Sequence, residues 1–484
     1  MASSDTPIEE KLWNQFQTAA KDIGKLIRRY AKNGVTEIIS HHDADGLSAA
    51  GVLGNMLADL ERPFRIRIVK QLDDTAIDYL EGSKNLVIFS DLASSKVDAL
   101  NERLPGPLVI LDHHEVGKEN LPERTDFGFL NPHLLGIDGS DAISGAGVAY
   151  LVARNLNKAN IRLAPLAIVG AIADRQNKGD KHSFTSLNAK IVEEGKNYGV
   201  IAEKLDFWVY DAHNLPIVRA IERLGIPELS GVAIQRHLEK ELGISSFVGD
   251  KKRTIAGLTV EEKRKLGTAL IVNFGLTDDQ IYRYVYTFPK EDHQRLQGAA
   301  EHATLLNSLG RTGNYGVAIT LTLGDRRSET IDEAENLLKE YRKQLSSYLQ
   351  WATLEKIDAH TYGTVYFLDA GHHISDRVIG TVASILVSRE KVLQDRPLLA
   401  VAAVEDNQLK LSGRIARSLE GKYSLATIFR QAMEQVLPEG EVGGHDAAAG
   451  AAFPKEKLHP FLKRVNTILK SQQGEEEDSA GETP

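Results

Sequence analysis

The alternation of apolar and polar residues predicts four short strands in the first quarter of the chain. Three of them are rich in apolar, often β-branched residues and run from Val35 to Ile39, from Asn85 to Ser90 and from Pro107 to Leu111. The fourth, Phe64–Val69, alternates apolar with polar residues, which is the period of a half-buried strand. A small-residue stretch of helical character, Leu47–Leu60, follows the first strand. This β-α-β rhythm continues to about residue 112 and predicts an α/β fold with a doubly wound parallel sheet.

Longer stretches with helical periodicity surround this sheet. From Ile8 to Tyr30 apolar residues recur at spacings of three and four, which predicts an amphipathic helix. Residues 190–300 are also helical in pattern, and Leu258–Glu262 has the capping-box signature of a helix start. A long charged helix is predicted over Glu329–Lys356. The pattern then returns to strand, helix and strand, at Thr364–Leu368, Val378–Val387 and Leu398–Val404.

Composition narrows the class of protein. A chain of 484 residues with 42% apolar residues predicts a globular protein of two to four domains, at about 150 residues each. It has no cysteine, which excludes disulfides, thiolate zinc sites and cysteine nucleophiles and fits a reducing cytoplasm. The net charge of −9 argues against a broadly basic surface for duplex DNA and leaves room for a local basic groove. Neither a signal peptide nor a membrane span is predicted, because Met1–Pro7 is polar and no apolar run approaches the roughly 20 residues of a membrane helix.

Acids and histidines follow three of the predicted strands at the point where each strand ends. Parallel strands bring their carboxyl ends to one edge of a sheet, so these side chains are expected to meet in one crevice. They are His41, Asp43, Asp45, Asp91, Asp112, His113 and His114, joined by Asp174, which closes the apolar run Gly170–Ala173. Like charges so close repel each other unless a cation lies between them, which predicts a metal site. For the first stretch taken alone, a helix N-cap with spare acids is an equally good interpretation.

The segments HHDADG, FSDLA, LDHHE and GAIAD, in this order, resemble the four motifs of the DHH phosphoesterase superfamily. The resemblance implies a pair of divalent metal ions, with Mn²⁺ preferred and Mg²⁺ as the second choice. It implies that His41 and Asp43 hold one ion, that Asp45, His113 and Asp174 hold the other, and that Asp91 bridges the two. The chain departs from many members at Ile39, where they carry a histidine four residues before the first acid.

The resemblance also implies two catalytic residues beside the metals. Asp112 supports the histidines, and His114 faces the scissile phosphate. Ligands of mixed imidazole and carboxylate type suit manganese better than magnesium, which prefers an octahedron of oxygens. A two-metal site can activate a water and stabilise both oxygens of an in-line phosphoryl displacement. The implied reaction is therefore hydrolysis of a phosphodiester.

Two later parts of the chain resemble substrate-binding segments of the same superfamily. Glu301–Arg311 is similar to the segment that lines the nucleic-acid path in the RecJ branch, which implies that Asn307 and Arg311 contact substrate. Lys410–Arg414 and Gly443–Asp446 resemble the basic and glycine-histidine motifs of the DHH-associated domain. Glycines let a backbone approach a phosphate closely, and arginine offers its oxygens a forked set of donors. The residues implied in phosphate binding are Ser412, Arg414, Gly443, Gly444 and His445.

Domain boundaries follow from these motifs and from the pattern between them. The predicted organisation is a DHH catalytic domain at 1–225, a helical insertion at 226–300, connector helices at 301–356, a smaller α/β DHH-associated domain at 357–471 and a disordered acidic tail at 472–484. The tail is assigned to disorder because it is acidic and poor in apolar residues. Residues 175–182 put positive charge just after Asp174, either as a solvated loop or as a rim that guides phosphate.

Together these features predict a cytoplasmic, manganese-dependent exonuclease that hydrolyses single-stranded DNA or RNA. The chain most resembles archaeal RecJ homologues, which implies a link to DNA replication or repair and a partnership with the GINS complex of the replicative helicase. Two alternatives stay open: a phosphodiesterase acting on short oligonucleotides or cyclic dinucleotides, and a replisome scaffold subunit that binds GINS. The sequence determines neither the polarity of cleavage nor the choice between DNA and RNA, because both ends of a strand present the same phosphodiester.

Overall fold

A computed structural model describes residues 7–117, 121–209, 212, 215–224, 226, 229, 231–404, 407–438, 440 and 442–480. For residues 7–9, 445 and 473–480 it describes the backbone alone. The chain divides into two compact units, Met1–Leu338 and Lys339–Pro484.

The first unit contains most of the helices and a central sheet. Its strands are β1 (Thr36–His41), β2 (Phe64–Val69), β3 (Val87–Ser90), β4 (Leu108–Leu111), β5 (Phe127–Leu130), β6 (Ala202–Phe207), β7 (Phe247–Val248), β8 (Lys251–Lys252) and β9 (Tyr282–Thr287). Its helices are α1 (Pro7–Tyr30), α2 (Ala44–Asp59), α3 (Asp74–Asp78), α4 (Val97–Arg103), α5 (Gly139–Ala142), α6 (Gly145–Leu156), α7 (Ala164–Ala173), α8 (Ser186–Asn197), α9 (Ile217–Glu222), α10 (Val232–Arg236), α11 (Val260–Phe274), α12 (Asp278–Ile281), α13 (Gln294–Gln297), α14 (Ala299–Arg311), α15 (Tyr315–Thr322) and α16 (Ser328–Trp351), the last of which continues into the second unit.

Strands β1 to β5 form one parallel sheet in the order β2-β1-β3-β4-β5. The predicted α/β fold with a parallel sheet is therefore confirmed, and each of the four predicted strands lies within two residues of its expected bounds. The register aligns the strand ends, since Ser40 on β1 pairs with Ser90 on β3 and Ser90 pairs with Leu111 on β4. The residues that follow these three positions are thus brought to one edge of the sheet.

Helices cover both faces of this sheet, as a doubly wound arrangement requires. One face carries the largest core, in which α2, α6 and α7 pack against one another and are mostly buried. The opposite face carries a smaller core with α3 and α4. Helix α2 can be buried on all sides because it is made largely of small and apolar residues, and a Cβ at Gly51 would lie only 2.4 Å from the Thr322 side chain of α15. Such close packing holds the N-terminus of α2 firmly beside the sheet edge.

The segment between β6 and β9 has a small core of its own. Much of its apolar surface comes from α9, α10, α11 and α12, as a helical insertion requires. The predicted capping box is present at the start of α11, where the Glu262 amide donates to Thr259 Oγ1 at 3.2 Å and the Thr259 amide donates to Glu262 Oε2 at 2.8 Å. The segment also contains the hairpin formed by β7 and β8, and the two strands that flank it, β6 and β9, pair with each other. Its two ends lie side by side, since the Trp208 amide donates to Ile281 O at 2.7 Å.

The second unit is a smaller α/β domain with a mixed sheet. Its strands are β10 (Ile357–Asp358), β11 (Tyr366–Asp369), β12 (Leu398–Ala403), β13 (Gln408–Arg414), β14 (Val442–His445) and β15 (Ala448–Pro454), and its helices are α17 (Ile379–Arg389), α18 (Leu425–Val436) and α19 (Leu458–Ala480). The sheet has the order β10-β11-β12-β13-β15-β14, in which β11 and β12 are parallel and the other pairs are antiparallel. One core packs α17 on this sheet and another packs α18 and α19.

Two helix ends differ from the sequence-based expectation. The charged connector helix ends at Trp351, and a short 3₁₀ turn takes its place over 354–356. Residues 472–480, predicted to be disordered, continue α19 as helix, in keeping with the helix propensity of Gln and Glu, whereas 481–484 lie outside the described residues. Across the described ranges, no helix combines the length and the apolar character needed to cross a membrane.

Candidate metal centre

The turn after β1 carries the first acid and begins α2. Asp43 is the N-cap of this helix, and its Oδ1 accepts a hydrogen bond from the Gly46 amide at 3.1 Å. Its other oxygen, Oδ2, lies 2.9 Å from His41 Nδ1. A Cβ at position 46 would lie 2.4 Å from the carbonyl oxygen of His41, so the turn requires glycine there. The helix N-cap predicted for this stretch is therefore present, and the second oxygen of Asp43 faces a histidine, which leaves the metal site as a prediction.

Asp45 lies in the first turn of α2 and has no exposed surface. Its carboxylate accepts from the amides of Gly145 and Ala146 at 2.6 and 2.9 Å, which are the first amides of α6. A helix N-terminus stabilises negative charge, so this contact holds Asp45 in place. Helix α7 passes close by, and a Cβ at Gly170 would lie 1.9 Å from Asp45 Oδ1. The glycine-rich turn 144–147 therefore directs two backbone amides at Asp45, and glycine at position 170 lets α7 pass beside the same carboxylate.

Asp91 follows β3 and lies at the middle of the cluster. Its backbone has φ +59°, a left-handed conformation that is costly for a residue other than glycine and that recurs at functional sites. His113 Nε2 lies 3.3 Å from Asp91 Oδ1, and His41 Nδ1 lies 3.6 Å from Asp91 Oδ2. Both oxygens are buried, and neither accepts a hydrogen bond of good geometry. A buried carboxylate with unsatisfied oxygens is costly, which is what a cation between the acids would relieve.

His113 follows β4, and its ring is held in place through Nδ1 by a backbone carbonyl. Its Nδ1 lies 2.9 Å from the carbonyl oxygen of Gly139, which can only accept, so Nδ1 carries a proton. Its Nε2 faces three carboxylates, at 3.3 Å from Asp91, 3.3 Å from Asp174 and 3.7 Å from Asp45. An imidazole oriented through Nδ1–H in this way has its Nε2 lone pair free to bind a metal.

Asp112 and His114 form a pair on the rim of the same crevice. Asp112 is buried, and its carboxylate accepts from the amides of Ser94 and His113 at 2.9 and 2.8 Å. Its Oδ1 lies 2.8 Å from His114 Nδ1, and the side chain of His114 is 43% exposed. Burial opposes the charge on Asp112, but His114, together with His113 and Ser94, outweighs it, and these neighbours hold the pKa of Asp112 well below its usual range. Asp112 therefore orients a histidine that stays accessible from the crevice.

The acids and histidines of the cluster shift one another's pKa values strongly. Burial raises the pKa of Asp45, and the charges of Asp91 and Asp174 raise it further. Burial also raises the pKa of Asp174, to about 7. The pKa values of His41 and His113 are raised because the neighbouring carboxylates outweigh the burial that opposes their charge. The acids and histidines thus compete for protons at the positions where divalent ions would supply positive charge.

The ligand atoms fall into two sets that share Asp91. Within each set, every pair of potential ligand atoms lies within 4.8 Å. The first set is His41, Asp43 and Asp91, and the second is Asp45, Asp91, His113 and Asp174. A third grouping, Asp91 with His113 and His114, overlaps the second. The six residues predicted as ligands are therefore brought together, and their nitrogen and oxygen donors are of the types that bind divalent metal ions.

Comparison with known proteins identifies the family. The family model for the N-terminal domain of the DHH family matches residues 36–172, and that for the DHHA1 domain matches residues 362–471. An uncharacterized protein of Methanocaldococcus jannaschii is 31% identical over 457 residues, which are 93% of this chain and 95% of that protein. The chain belongs to the DHH family.

Other similar proteins connect this DHH protein to RecJ. The single-stranded-DNA-specific exonuclease RecJ of Escherichia coli is 22% identical over 480 residues, 94% of this chain and 70% of that protein. The crystal structure of RecJ in complex with Mn²⁺ from Thermus thermophilus is similar with a TM-score of 0.57 and 21% identity, over 94% of this chain and 55% of that one. CDC45 from Entamoeba histolytica is similar with a TM-score of 0.62 and 13% identity, over 94% of this chain and 99% of that one. At these identities the two structures show a shared fold.

Helix α14 of the DHH protein reaches the turn that follows β1. The Ala44 amide donates to Asn307 Oδ1 at 3.0 Å, and a Cβ at Gly310 would lie 1.9 Å from the carbonyl oxygen of His42. Burial and the neighbouring His41 lower the pKa of His42 to about 3, and the positive charge of Arg311 contributes to this. The two residues predicted to contact substrate therefore lie beside the metal centre. The oxygen of Asn307 already binds the backbone of the turn, a contact that no sequence pattern indicated.

In the second unit, sheet register brings the predicted phosphate-binding residues together. Arg414 on β13 and His445 on β14 both pair with Ala448 on β15, and Ser412 and Gly443 both pair with Gly450. The guanidinium of Arg414 is held in place by Ser384 of α17, whose Oγ accepts from Nε at 2.8 Å.

Each of the two glycines in this strand has a different surrounding. A Cβ at Gly443 would meet open space, so the backbone there is accessible to a ligand. Gly444 has φ +120°, and a Cβ there would lie 2.2 Å from Ala448 O. The pairing of β14 with β15 therefore requires glycine at position 444. The role of these residues in binding substrate stays a prediction.

Proposed function

We propose that this DHH protein is a metal-dependent phosphoesterase that acts as an exonuclease on single-stranded DNA or RNA. The observation that carries the proposal is the buried carboxylate of Asp91, whose two unsatisfied oxygens face two separate sets of nitrogen and oxygen donors. Two such sets with one shared acid are the arrangement that two-metal phosphoryl chemistry needs. The similarity to RecJ of Escherichia coli, a single-stranded-DNA-specific exonuclease, supports the substrate class.

Each of the two sets of ligand atoms that share Asp91 would hold one ion. His41, Asp43 and Asp91 would hold one ion, and Asp45, His113 and Asp174 would hold the other together with Asp91. When bound, the pair would activate a water and stabilise the charge that develops on the phosphate oxygens. Mixed imidazole and carboxylate donors favour Mn²⁺, and the RecJ structure from Thermus thermophilus is a Mn²⁺ complex.

The chain's own groups would act on the substrate beside the ions. Asp112 accepts from His114 Nδ1 and raises the pKa of this half-exposed ring against the opposing effect of its burial, and the protonated ring would donate from Nε2 to a phosphate oxygen. Arg311 adds positive charge near the first turn. In the second unit, Arg414, Ser412, Gly443, Gly444 and His445 would bind the phosphates of the substrate strand.

The decisive experiment is digestion of end-labelled single-stranded DNA and RNA by the full-length protein. We expect stepwise release of mononucleotides with Mn²⁺, weaker release with Mg²⁺, and none after EDTA treatment or with Ca²⁺. Labels at each end report the polarity of cleavage. A purified protein that binds Mn²⁺ and leaves both polymers intact would contradict the exonuclease assignment.

Two alternatives are tested by the same preparation. A phosphodiesterase for short or cyclic substrates would hydrolyse dinucleotides and cyclic dinucleotides fast and slow down as oligonucleotides lengthen. The second alternative is a replisome scaffold subunit that binds GINS. The similarity in fold to CDC45, which covers 99% of that chain, supports this alternative. That scaffold would bind purified GINS equally well when its acids are replaced by alanine.

A further inference from the structure

A buried pair of amide side chains lies behind His113, on the side away from the acids. Gln176 and Asn188 both have 0% exposed surface. Gln176 Nε2 lies 3.0 Å from Gly139 O and 3.2 Å from Ile143 O, and Asn188 Nδ2 lies 2.7 Å from Gln176 Oε1. In the sequence Gln176 belongs to a polar loop, and no spacing distinguishes it from its neighbours.

These contacts allow Gln176 only one orientation. Its two N–H bonds are directed at two carbonyl oxygens, which can only accept, and its own oxygen accepts from Asn188. Turning the amide by half a rotation would set oxygen against both carbonyls and nitrogen against nitrogen. The two carbonyls therefore fix the orientation of Gln176, which follows Asp174 by two residues, and Asn188 on α8 satisfies its oxygen.

Gln176 and His113 share one acceptor. The carbonyl oxygen of Gly139 accepts from His113 Nδ1 at 2.9 Å and from Gln176 Nε2 at 3.0 Å, which uses both of its lone pairs. The amide of Gly139 in turn donates to His133 Nε2 at 3.2 Å. A side chain cannot fit at this position, because a Cβ would lie 2.0 Å from His113 O. The position of this single carbonyl determines how the His113 ring turns and which nitrogen carries the proton.

We propose that Gln176 and Asn188 are positioning residues that keep His113 in the orientation and tautomer able to bind a metal ion. A metal-binding histidine needs an unprotonated nitrogen facing the ion, and a fixed partner on its other nitrogen raises the affinity of the site. Because Gln176 also follows Asp174 closely, one amide ties together the two segments that carry ligands of the same ion. The proposal rests on the metal centre of the proposed function and is independent of which nucleic acid is cleaved.

The test is the affinity of the full-length protein for Mn²⁺, measured by electron paramagnetic resonance of the free ion during titration. Gln176→Glu keeps the shape and the oxygen that binds Asn188, but it replaces the donor nitrogen by an oxygen that faces two carbonyls. We expect its affinity for Mn²⁺ to fall by about tenfold to a hundredfold, the range seen when partners of metal ligands are removed. Gln176→Met has no added charge and should show the same direction of change, so the result does not depend on one variant folding well.

Asn160 provides a matched control. It is a buried amide of the same unit, 1% exposed, and its Nδ2 donates to Ala153 O at 2.8 Å. Asn160→Asp should lower the melting temperature of the metal-free protein while leaving Mn²⁺ affinity unchanged.

The outcomes separate the two proposals. If both Gln176 variants bind Mn²⁺ as tightly as the unmodified protein and differ only in melting temperature, the amide pair is merely structural. If the unmodified protein binds no Mn²⁺, the metal centre itself is wrong, and this inference falls with it.

Discussion

The two largest sheets of the described residues gather their candidate functional side chains in different ways. In the parallel sheet of the first unit every strand points in the same direction, so the residues after Ser40, Ser90 and Leu111 meet at one edge. In the mixed sheet of the second unit, Arg414 and His445 come to the same level because both pair with Ala448. Strand direction can be inferred from a β-α-β pattern, whereas antiparallel register depends on turn geometry and on which face is buried. The first assembly is therefore visible in the sequence and the second is not.

The two assemblies also differ in how well their polar groups are satisfied. In the first unit the buried oxygens of Asp91 accept no hydrogen bond of good geometry, and four carboxylates crowd together. In the second unit Arg414 already donates to Ser384 and to the backbone at Gly413. An unsatisfied acidic cluster needs a cation, while an arginine held by its neighbours is preorganised to bind an anion. We therefore expect the chemistry to depend on the first unit and the binding of substrate to depend on the second.

The largest effect is expected at Asp91. Asp91→Ala removes the acid shared by both sets of ligands, and kcat should fall by about a thousandfold, or roughly 4 kcal/mol. The melting temperature of the metal-free protein should stay the same or rise, because an unsatisfied buried acid is costly. Nuclease assays and thermal denaturation measure the two effects, with Asp59→Ala as a control at the far end of α2, where the acid pairs with Arg162. Near-normal turnover of Asp91→Ala would refute the two-metal assignment.

A smaller effect, and one of a different kind, is expected at Arg414. Arg414→Ala should raise KM by about tenfold to a hundredfold, which corresponds to the loss of one charged hydrogen bond to phosphate, and leave Mn²⁺ affinity unchanged. The neighbouring exposed Arg417 serves as the control, since Arg417→Ala removes a charge of the same sign. Steady-state kinetics and Mn²⁺ titration measure both quantities. A metal-binding defect in Arg414→Ala would contradict the assignment of metal binding to the first unit and substrate binding to the second.

Asn307 distinguishes positioning from substrate contact within the first unit. Asn307→Ala removes the acceptor for the Ala44 amide, and we expect kcat to fall by about fivefold to tenfold, in line with roughly 1 kcal/mol for such a hydrogen bond. Asn307→Asp keeps an oxygen at this position and should retain most of the activity. The measurement is kcat and KM for both variants. If aspartate is as damaging as alanine and the defect lies in KM, Asn307 contacts substrate through its amide nitrogen instead.

The smallest effect on hydrolysis is expected from the segment between β6 and β9. The sequence predicts a helical insertion at 226–300, but β9 pairs with β6 and Tyr286 belongs to the main core, so residues 210–279 are the better segment to replace by a short linker. Dinucleotide hydrolysis should stay within about twofold, because none of the candidate metal ligands lies in this segment. We expect this segment to dock a replication partner rather than nucleic acid, because it lacks a dense Lys/Arg stripe, so co-purification with GINS from cell extract should be lost. Retained GINS binding, together with lost discrimination between single- and double-stranded substrate, would make this segment an entrance filter.

Much of the metal centre could be predicted because its residues lie at the ends of recognisable strands. The parallel direction of β1, β3 and β4 makes the convergence of Asp43, Asp91 and His113 a consequence of topology. What could not be predicted is how these groups are held. The amides that bind Asp45 come from α6, a hundred residues further along the chain, and such a contact leaves no periodic pattern in the sequence.

The sequence by itself determined the α/β class, the order of the strands along the chain and the acids and histidines that end them, because these depend on local periodicity and residue type. The tertiary structure decided which atoms of those residues are used and which are left unsatisfied. It directed one oxygen of Asp43 to a helix cap, turned Nε2 of His113 toward the acids through Gly139, and set Asn307 against the first turn. Those choices depend on packing between segments far apart in the chain, where distances of a few tenths of an ångström determine whether a hydrogen bond forms.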